Sequence, residues 1–285
     1  MSAAPLDREA VARCVAAALA EDLGPGGDVT TQAVVPAARR ARATLVARES
    51  MVVAGLAVAE AVFRQLDSAV VFTRRVEDGE SVASEAIVAT AEGSARALLQ
   101  GERTALNFLQ RMSGIATATR AAVLEIAGTE ATILDTRKTA PGLRALDKFA
   151  VAAGGGTNHR QGLYDTAMIK DTHVGAVGSL GSAIRACLAA GLARETITAE
   201  VRTVEELDEA IAAGAGRALL DNMPLPALEE SVRRGKGKIV LEASGGLRPG
   251  KLRPVAATGV EFLSLGYLTH SVRAADLAMD LAALP

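Results

Sequence analysis

Residues 152–173 read AAGGGTNHRQGLYDTAMIKDTH, and they gather much donor chemistry around a flexible backbone. Three glycines run into Asn158, His159 and Arg160, and Lys170 follows at the end of a short apolar run. Upstream, ILDTRK places Thr136, Arg137 and Lys138 just past Asp135. An arginine presents a planar fork that pairs two carboxylate oxygens at once, and a lysine adds a compact point charge. Two arginines and two lysines exceed what one carboxylate needs. They suit a dicarboxylate, or a carboxylate together with a phosphate. Either basic segment alone reads equally well as solvated loop charge; the two together, with Lys170, favour an anion site.

Acids close three later apolar runs: Glu200 in TITAE, Asp221 in RALLD and Glu242 in KIVLE. Glu200 and Asp221 suit the vicinal hydroxyls of a ribose, or Mg²⁺ held through water. The alternative is a pair of structural acids capping neighbouring N–H groups. Ser244, Gly245 and Gly246 follow in ASGGL (243–247), and Ser264 and Gly266 lie in LSLG. Backbone N–H groups in such loops cradle phosphate. The cations and acids together predict a basic wall facing an acidic one. The patterns GxSxG, HExxH, GxxxxGK[ST] and GxGxxG are missing from the chain, which argues against an ATP loop or a dinucleotide fingerprint. His159 and His173 are 14 apart with no cysteine nearby, which is not a zinc-ligand spacing. Cys14 and Cys187 read as reduced, inert residues.

These residues need elements to hold them at one mouth. After Gly114 short apolar runs alternate with helical segments, ending at Asp135, Lys170, Glu200, Asp221, Glu242 and Gly266. The gaps between them run from 21 to 35 residues, room for a strand, two loops and a helix. In TVEELDEAIAAGA, Thr203 and Glu206 form a capping box and Gly214 a stop. Buried parallel strands that each end in a polar residue predict an α/β barrel with its site at the C-terminal mouth. A doubly wound open sheet is the alternative. We place this barrel over residues 114–269. Residues 1–113 mix Val-rich strand patterns with helical spacing and predict a smaller α+β domain. A C-terminal helix over 270–285 is expected to pack back on it.

Composition narrows the partners. Of 285 residues, 49% are hydrophobic but only 2% aromatic, with no tryptophan, so aliphatic side chains must fill the core and base stacking on nucleic acid is disfavoured. A net charge of −2 gives no global attraction to nucleic acid or an anionic membrane. The N-terminal MSAAPLDREAVARCVAAALAEDLG reads as an amphipathic helix rather than a signal peptide. No apolar run reaches the ~18 residues of a spanning helix. A cytoplasmic location is expected.

The stretch ILDTRKTAPGLRALDKFAVAAGGGTNHRQGLYDTAMIKDTH resembles the core signature of the quinolinate phosphoribosyltransferases. The likeness continues in EDLGPGGDVTT (21–31), GERTALNFLQRMSGIAT (101–117), EVRTVEEL (200–207), LLDNM (219–223), LEASGGL (241–247) and GVEFLSLGYLTHS (259–271). It covers nearly the whole chain. It implies an N-terminal α/β sandwich, a C-terminal open α/β barrel of the TIM type, and a step of NAD biosynthesis. It also implies a homodimer, or a higher oligomer built from it, in which Arg103 reaches the partner's site. By the resemblance, quinolinate is held by Arg103, Thr136, Arg137, Lys138, His159, Arg160 and Lys170. Phosphoribosyl diphosphate falls to Glu200, Asp221, Ser244, Gly245, Gly246, Ser264, Leu265, Gly266 and His270, with Mg²⁺ near Glu200 and Asp221. Lys138, Lys170, Glu200 and Asp221 would carry the chemistry. Two positions depart from the family's pattern: Thr198 stands where an acid is usual, and Thr172 where KDNH is usual. The first could loosen metal or ribose contacts. A paralogue taking another base, or a silent phosphosugar-binding barrel, are the rival readings, and retention of Arg103, Arg137, His159 and Arg160 disfavours the paralogue.

Overall fold

The computed structural model describes residues 6–284. The chain divides into two compact units, one of Met1–Arg120, Thr139–Gly155 and Leu268–Pro285, the other of Ala121–Lys138 and Gly156–Tyr267. The C-terminal segment falls in the first unit, and so does Thr139–Gly155.

Helix α1 (Arg8–Leu23) starts at Asp7, whose carboxylate accepts from Glu9 N–H, and it buries Ala10, Val11, Val15 and Leu19. The helix expected from the N-terminal sequence is thus present from Arg8; Met1–Pro5 lie outside the described residues. Helix α2 (Val29–Val34) is capped by Asp28. Strands β1 (Arg40–Ala47) and β2 (Met51–Val52), helix α3 (Leu56–Leu66), and strands β3 (Val71–Arg74), β4 (Ser81–Val82) and β5 (Ile87–Ser94) follow, and helix α4 (Ala95–Glu125) ends this part. The larger antiparallel sheet has the order β12-β1-β5-β3, where β12 is Leu277–Ala283. Ala41, Ala43 and Leu45 alternate inward along β1, and α3 buries Val58, Val62 and Phe63. Phe63 stacks on Phe72 of β3 at 6.3 Å between ring centroids.

The C-terminal helix expected over 270–285 is corrected. The residues Tyr267–His270 are helical, but Leu277–Ala283 is a strand paired antiparallel with β1, Leu277 opposite Ala47 and Ala283 opposite Ala41. The sequence LAMDLAA is a good helix former. However, seven residues are too few to hold a helix alone, and the open edge of β1 offers a ladder of backbone bonds. Gln110 fixes the approach: its carbonyl accepts from Ala275 N–H at 2.9 Å and its side chain donates to the Leu277 carbonyl at 2.9 Å.

The second unit carries the six runs read from the sequence, as strands β6 (Thr132–Leu134), β7 (Ala167–Ile169), β8 (Ile197–Val201), β9 (Arg217–Asp221), β10 (Val240–Ser244) and β11 (Phe262–Ser264). Between them stand helices α5 (Arg144–Ala153, which belongs to the first unit), α6 (Asp171–Val177), α7 (Leu180–Ala189), α8 (Val204–Ala213), α9 (Leu225–Gly235) and α10 (Leu252–Ala256), with α11 (Tyr267–His270) after β11. All pairings in this sheet are parallel, in the order β6-β11-β10-β9-β8-β7. Thr157 extends the sheet past β6 through a parallel bridge to Leu134. From β7 to β11 each strand neighbours the next in sequence, and β6 pairs with β11, the strand order of a barrel opened between β6 and β7. The Thr157 edge and the outer edge of β7 remain unjoined among the described residues, so the barrel is open there. Helix α8 has half of the expected capping box: Thr203 Oγ1 accepts from Glu206 N–H, but the Glu206 carboxylate accepts from Arg202 N–H at 2.6 Å rather than from Thr203. Gly214 stops the helix in the left-handed region at φ 95°.

Candidate active site

The strand-end residues meet because the strands alternate inward and outward with a period of two. Lys170 and Met168 share the inward face at β7, Asp221 and Leu219 at β9, and Ser244 and Glu242 at β10. Together with Glu200 and Ser264 they line one cavity of about 160 Å³. Its remaining lining is Thr136, Arg137, Lys138, His159 and Arg160. The cations come from the strand ends and segment that flank the barrel's opening. The acids and serines come from the contiguous strands β8 to β11.

The segment that follows the three glycines is anchored by a buried acid. Asp135, fully buried at the end of β6, accepts from Asn158 Nδ2 at 2.7 Å and from His159 N–H at 2.8 Å. Gly155 supplies the left-handed turn, φ 96°, that ends helix α5. Arg160 donates through Nη1 to the Thr166 carbonyl at 2.8 Å. Burial, and then the neighbouring Arg137 charge, pull the Arg160 pKa down. Two guanidinium groups thus repel across one cavity, a state that a bound anion relieves. Lys138 is exposed, and its N–H donates to Thr136 Oγ1 at 3.0 Å. His173 is unrelated to His159 in role: its Nδ1 accepts from Lys170 N–H at 3.1 Å and so caps helix α6.

The acid pair is less bare than its sequence suggests. Burial raises the Glu200 pKa; Lys170 draws it back, and the Asp221 carboxylate raises it again. Arg202, unremarked in the sequence reading, reaches Asp171 at 3.0 Å, Asp221 at 3.5 Å and Glu200 at 3.9 Å. Arg202 lies just past the end of β8, two residues beyond Glu200, so the period-two spacing that puts Met168 with Lys170 also puts Arg202 on the side of the acids. Thr198 is buried two residues before Glu200, in register with Arg217 of β9. It is not among the cavity's lining, so the departure sits beneath the site rather than in it. Thr172 is exposed and its N–H donates to Asp171 Oδ1 at 2.7 Å.

The glycine loop after β10 has a local reason. Gly245 has φ 89°, and a Cβ there would lie 2.4 Å from the Asn222 side chain. Asn222 is itself left-handed at φ 56° and donates its N–H to the Ser244 carbonyl at 2.8 Å. Gly245 and Gly246 continue from the lining residue Ser244. Leu265 has a buried side chain and donates its N–H to the Leu134 carbonyl at 2.9 Å, and Gly266 follows it. Arg103 and His270, expected at the site, belong to the first unit, where both are exposed. Sequence reasoning missed Met168, Leu219 and Arg202 as site residues. The period-two spacing from Lys170, Asp221 and Glu200 was the available signal.

A larger hollow of about 940 Å³ lies in the first unit among α1, α4 and residues 140–145. Three arginines line it: Arg111 is committed to the fully buried Asp147 by two bonds of 2.8 Å, Arg144 donates through Nε to Thr139 Oγ1 at 3.1 Å, and Arg13 lies on α1. Among the described residues there is no group of three or more His, Cys, Asp or Glu side chains placed to hold a metal, and no helix is long and apolar enough to cross a membrane.

Comparison with known proteins agrees with this geometry. The family model for the quinolinate phosphoribosyl transferase N-terminal domain matches residues 28–113, and that for its C-terminal domain matches residues 115–280. A nicotinate-nucleotide pyrophosphorylase [carboxylating] of Mycobacterium leprae is 47% identical over 271 residues, covering 93% of this chain and 94% of the relative. A probable enzyme of the same name from Bacillus subtilis is 43% identical, covering 91% and 89%. The crystal structure of NadC from Streptococcus pyogenes superposes with a TM-score of 0.93 at 36% identity, covering 99% of this chain and 100% of that one. By both domain models and by relatives aligned along almost its full length, this chain belongs to the quinolinate phosphoribosyltransferase family.

Proposed function

We propose that this chain transfers the phosphoribosyl group of phosphoribosyl diphosphate to quinolinate, releasing diphosphate and CO₂ and forming nicotinate mononucleotide for NAD biosynthesis. The observation that carries the reading is the convergence of Arg137, Lys138, Arg160 and Lys170 on one cavity that also holds Glu200 and Asp221. Quinolinate is a pyridine with two adjacent carboxylates. Arg137 and Arg160 bind those carboxylates, with His159 beside them, and relieve their own mutual repulsion in doing so. Arg103 is supplied by the second subunit of a homodimer.

The pyridine nitrogen forms a bond to ribose C1 while the bond from C1 to diphosphate breaks. The ring then loses its 2-carboxylate as CO₂, the bonding pair stays on the ring carbon, and that carbon takes up a proton. Positive charge develops on the ribose and negative charge on the leaving diphosphate. Glu200 and Asp221 accept from the ribose hydroxyls and steady the sugar; Lys138 and Lys170 take the diphosphate charge. The N–H groups of Ser244 to Gly246 and of Ser264 to Gly266 hold the phosphate end. Catalysis is then positioning and electrostatics, with no covalent intermediate.

Glu200 and Asp221 fit a Mg²⁺ ion of the kind bound by one or two carboxylates plus substrate phosphates, since they are adjacent strand-end acids, one with a raised pKa that a cation would lower. Bound there, the ion neutralises charge on the diphosphate. The test is a mixing assay of protein, Mg²⁺ and phosphoribosyl diphosphate with quinolinate, and in parallel with nicotinate. Nicotinate mononucleotide and CO₂ from quinolinate alone is the expected result. Product from nicotinate, or none from quinolinate with binding intact, would overturn the assignment in favour of another base or a silent barrel.

A further inference from the structure

Beneath the cations lies a buried ionic chain that the reaction as written does not use. Glu242 is fully buried on β10. It accepts from Ser264 Oγ, and its Oε2 lies 3.3 Å from His159 Nε2 and 3.3 Å from Arg217 Nη1. The Arg217 guanidinium stacks 4.3 Å over the Phe262 ring. Thr198, the residue in register with Arg217 on β8, carries no charge, so it adds no second carboxylate beside that guanidinium. On the other side of the imidazole, Nδ1 accepts from the backbone N–H of Arg160 at 2.7 Å. An imidazole nitrogen that accepts carries no proton. The proton of the neutral ring is therefore on Nε2, the nitrogen that faces the carboxylate.

We infer that Glu242 is a positioning residue: through His159 it fixes the backbone at Arg160, and so aims the arginine that meets the second carboxylate of a pyridine dicarboxylate. His159, which also lines the cavity, then acts as a strut, with Nε2 turned to Glu242 and Nδ1 to the Arg160 main chain. Asp135 secures the same residue from below through the His159 N–H. Two buried carboxylates on different strands thus hold one histidine at its main chain and at its ring. Such supporting partners fix tautomer and ring orientation where a histidine works next to charge. Burial pushes the Glu242 pKa up, and His159, Ser264 and Arg217 more than offset it, which keeps the strut's anchor ionised.

The inference rests on the proposed dicarboxylate substrate, but its first test does not. The chain has three histidines, so long-range ¹H–¹⁵N correlation of the full-length labelled protein gives three imidazole patterns, with His159→Asn identifying one. The expected pattern for His159 is the neutral Nε2–H tautomer. An Nδ1–H tautomer, or a mixture of the two, would overturn the strut. The second test is kinetic and uses the double variant Glu242→Gln/Arg217→Met, which removes the buried carboxylate and its half-buried partner charge together. The KM for quinolinate should rise by about 10- to 100-fold, the range seen when the supporting partner of a metal-bound histidine is removed, while that for phosphoribosyl diphosphate is unchanged. Equal rises in both, or no rise in either, would refute the positioning role. If the wild-type protein shows no turnover with quinolinate, the reaction assignment fails and the tautomer measurement still decides the strut.

Discussion

Arg160 is where charge, burial and backbone constraint meet. It shares the cavity with Arg137, and burial, then the Arg137 charge, makes the Arg160 charge harder to hold. Arg160→Ala should weaken quinolinate binding by about 1.5–3 kcal/mol, the loss of a charge-assisted hydrogen bond, and leave phosphoribosyl diphosphate binding nearly unchanged. Isothermal titration of each ligand checks this, and equal losses would contradict the division into two walls. Glu242 gives a second prediction. A carboxyl whose pKa is lowered on folding contributes stability above its ordinary value, here 4.5, and loses that contribution as pH falls through the folded value. Glu242→Gln leaves Arg217 without its carboxylate, and breaking a buried pair costs about 3–5 kcal/mol. The variant should therefore melt below wild type at pH 7, with the gap narrowing in acid. A gap that stays constant through pH 4 would argue against an ionised Glu242.

At the scale of elements, each barrel strand is only three to five residues long, so its type was legible from an apolar run with a polar end. The sheet of the first unit was harder to read. Strand β5 gives a weak signal because Ile87, Val88 and Thr90 are interleaved with Ala, Glu and Gly, which strands disfavour. Strand β12 was read as a helix because its residues favour one; the open edge of β1 decided otherwise. That pairing makes a prediction. Leu284 N–H donates to the Arg40 carbonyl, so in this antiparallel ladder the even-numbered N–H groups of β12 face β1. Ala278→Pro should lower stability by about 1 kcal/mol more than Met279→Pro, the net worth of one hydrogen bond. Urea midpoints of the two variants measure the difference; the reverse order would mean the register is shifted by one.

At the scale of the whole molecule, the proposed site is incomplete in one chain. Arg103 is exposed on α4 in the first unit, and the proposed homodimer supplies it to the partner. An Arg103→Ala chain mixed with a Lys170→Ala chain should regain activity, since half of the sites in each mixed dimer carry both wild-type residues. No recovery after verified subunit exchange would return Arg103 to its own chain, or remove it from the site. Sequence alone determined the barrel strands, the cap of α8, and the residue types at the mouth. It could do so because strand periodicity, capping and charge chemistry are local properties, readable within a few residues. The tertiary structure decided which distant side chains pair. Arg202 reaching Asp171 and Asp221 on the neighbouring strand ends, Glu242 facing His159 across 83 positions, and the C-terminal strand completing the edge of β1 all depend on contacts between separate elements. No local propensity encodes such a contact, because its free energy exists only once the chain has closed the loop between the partners.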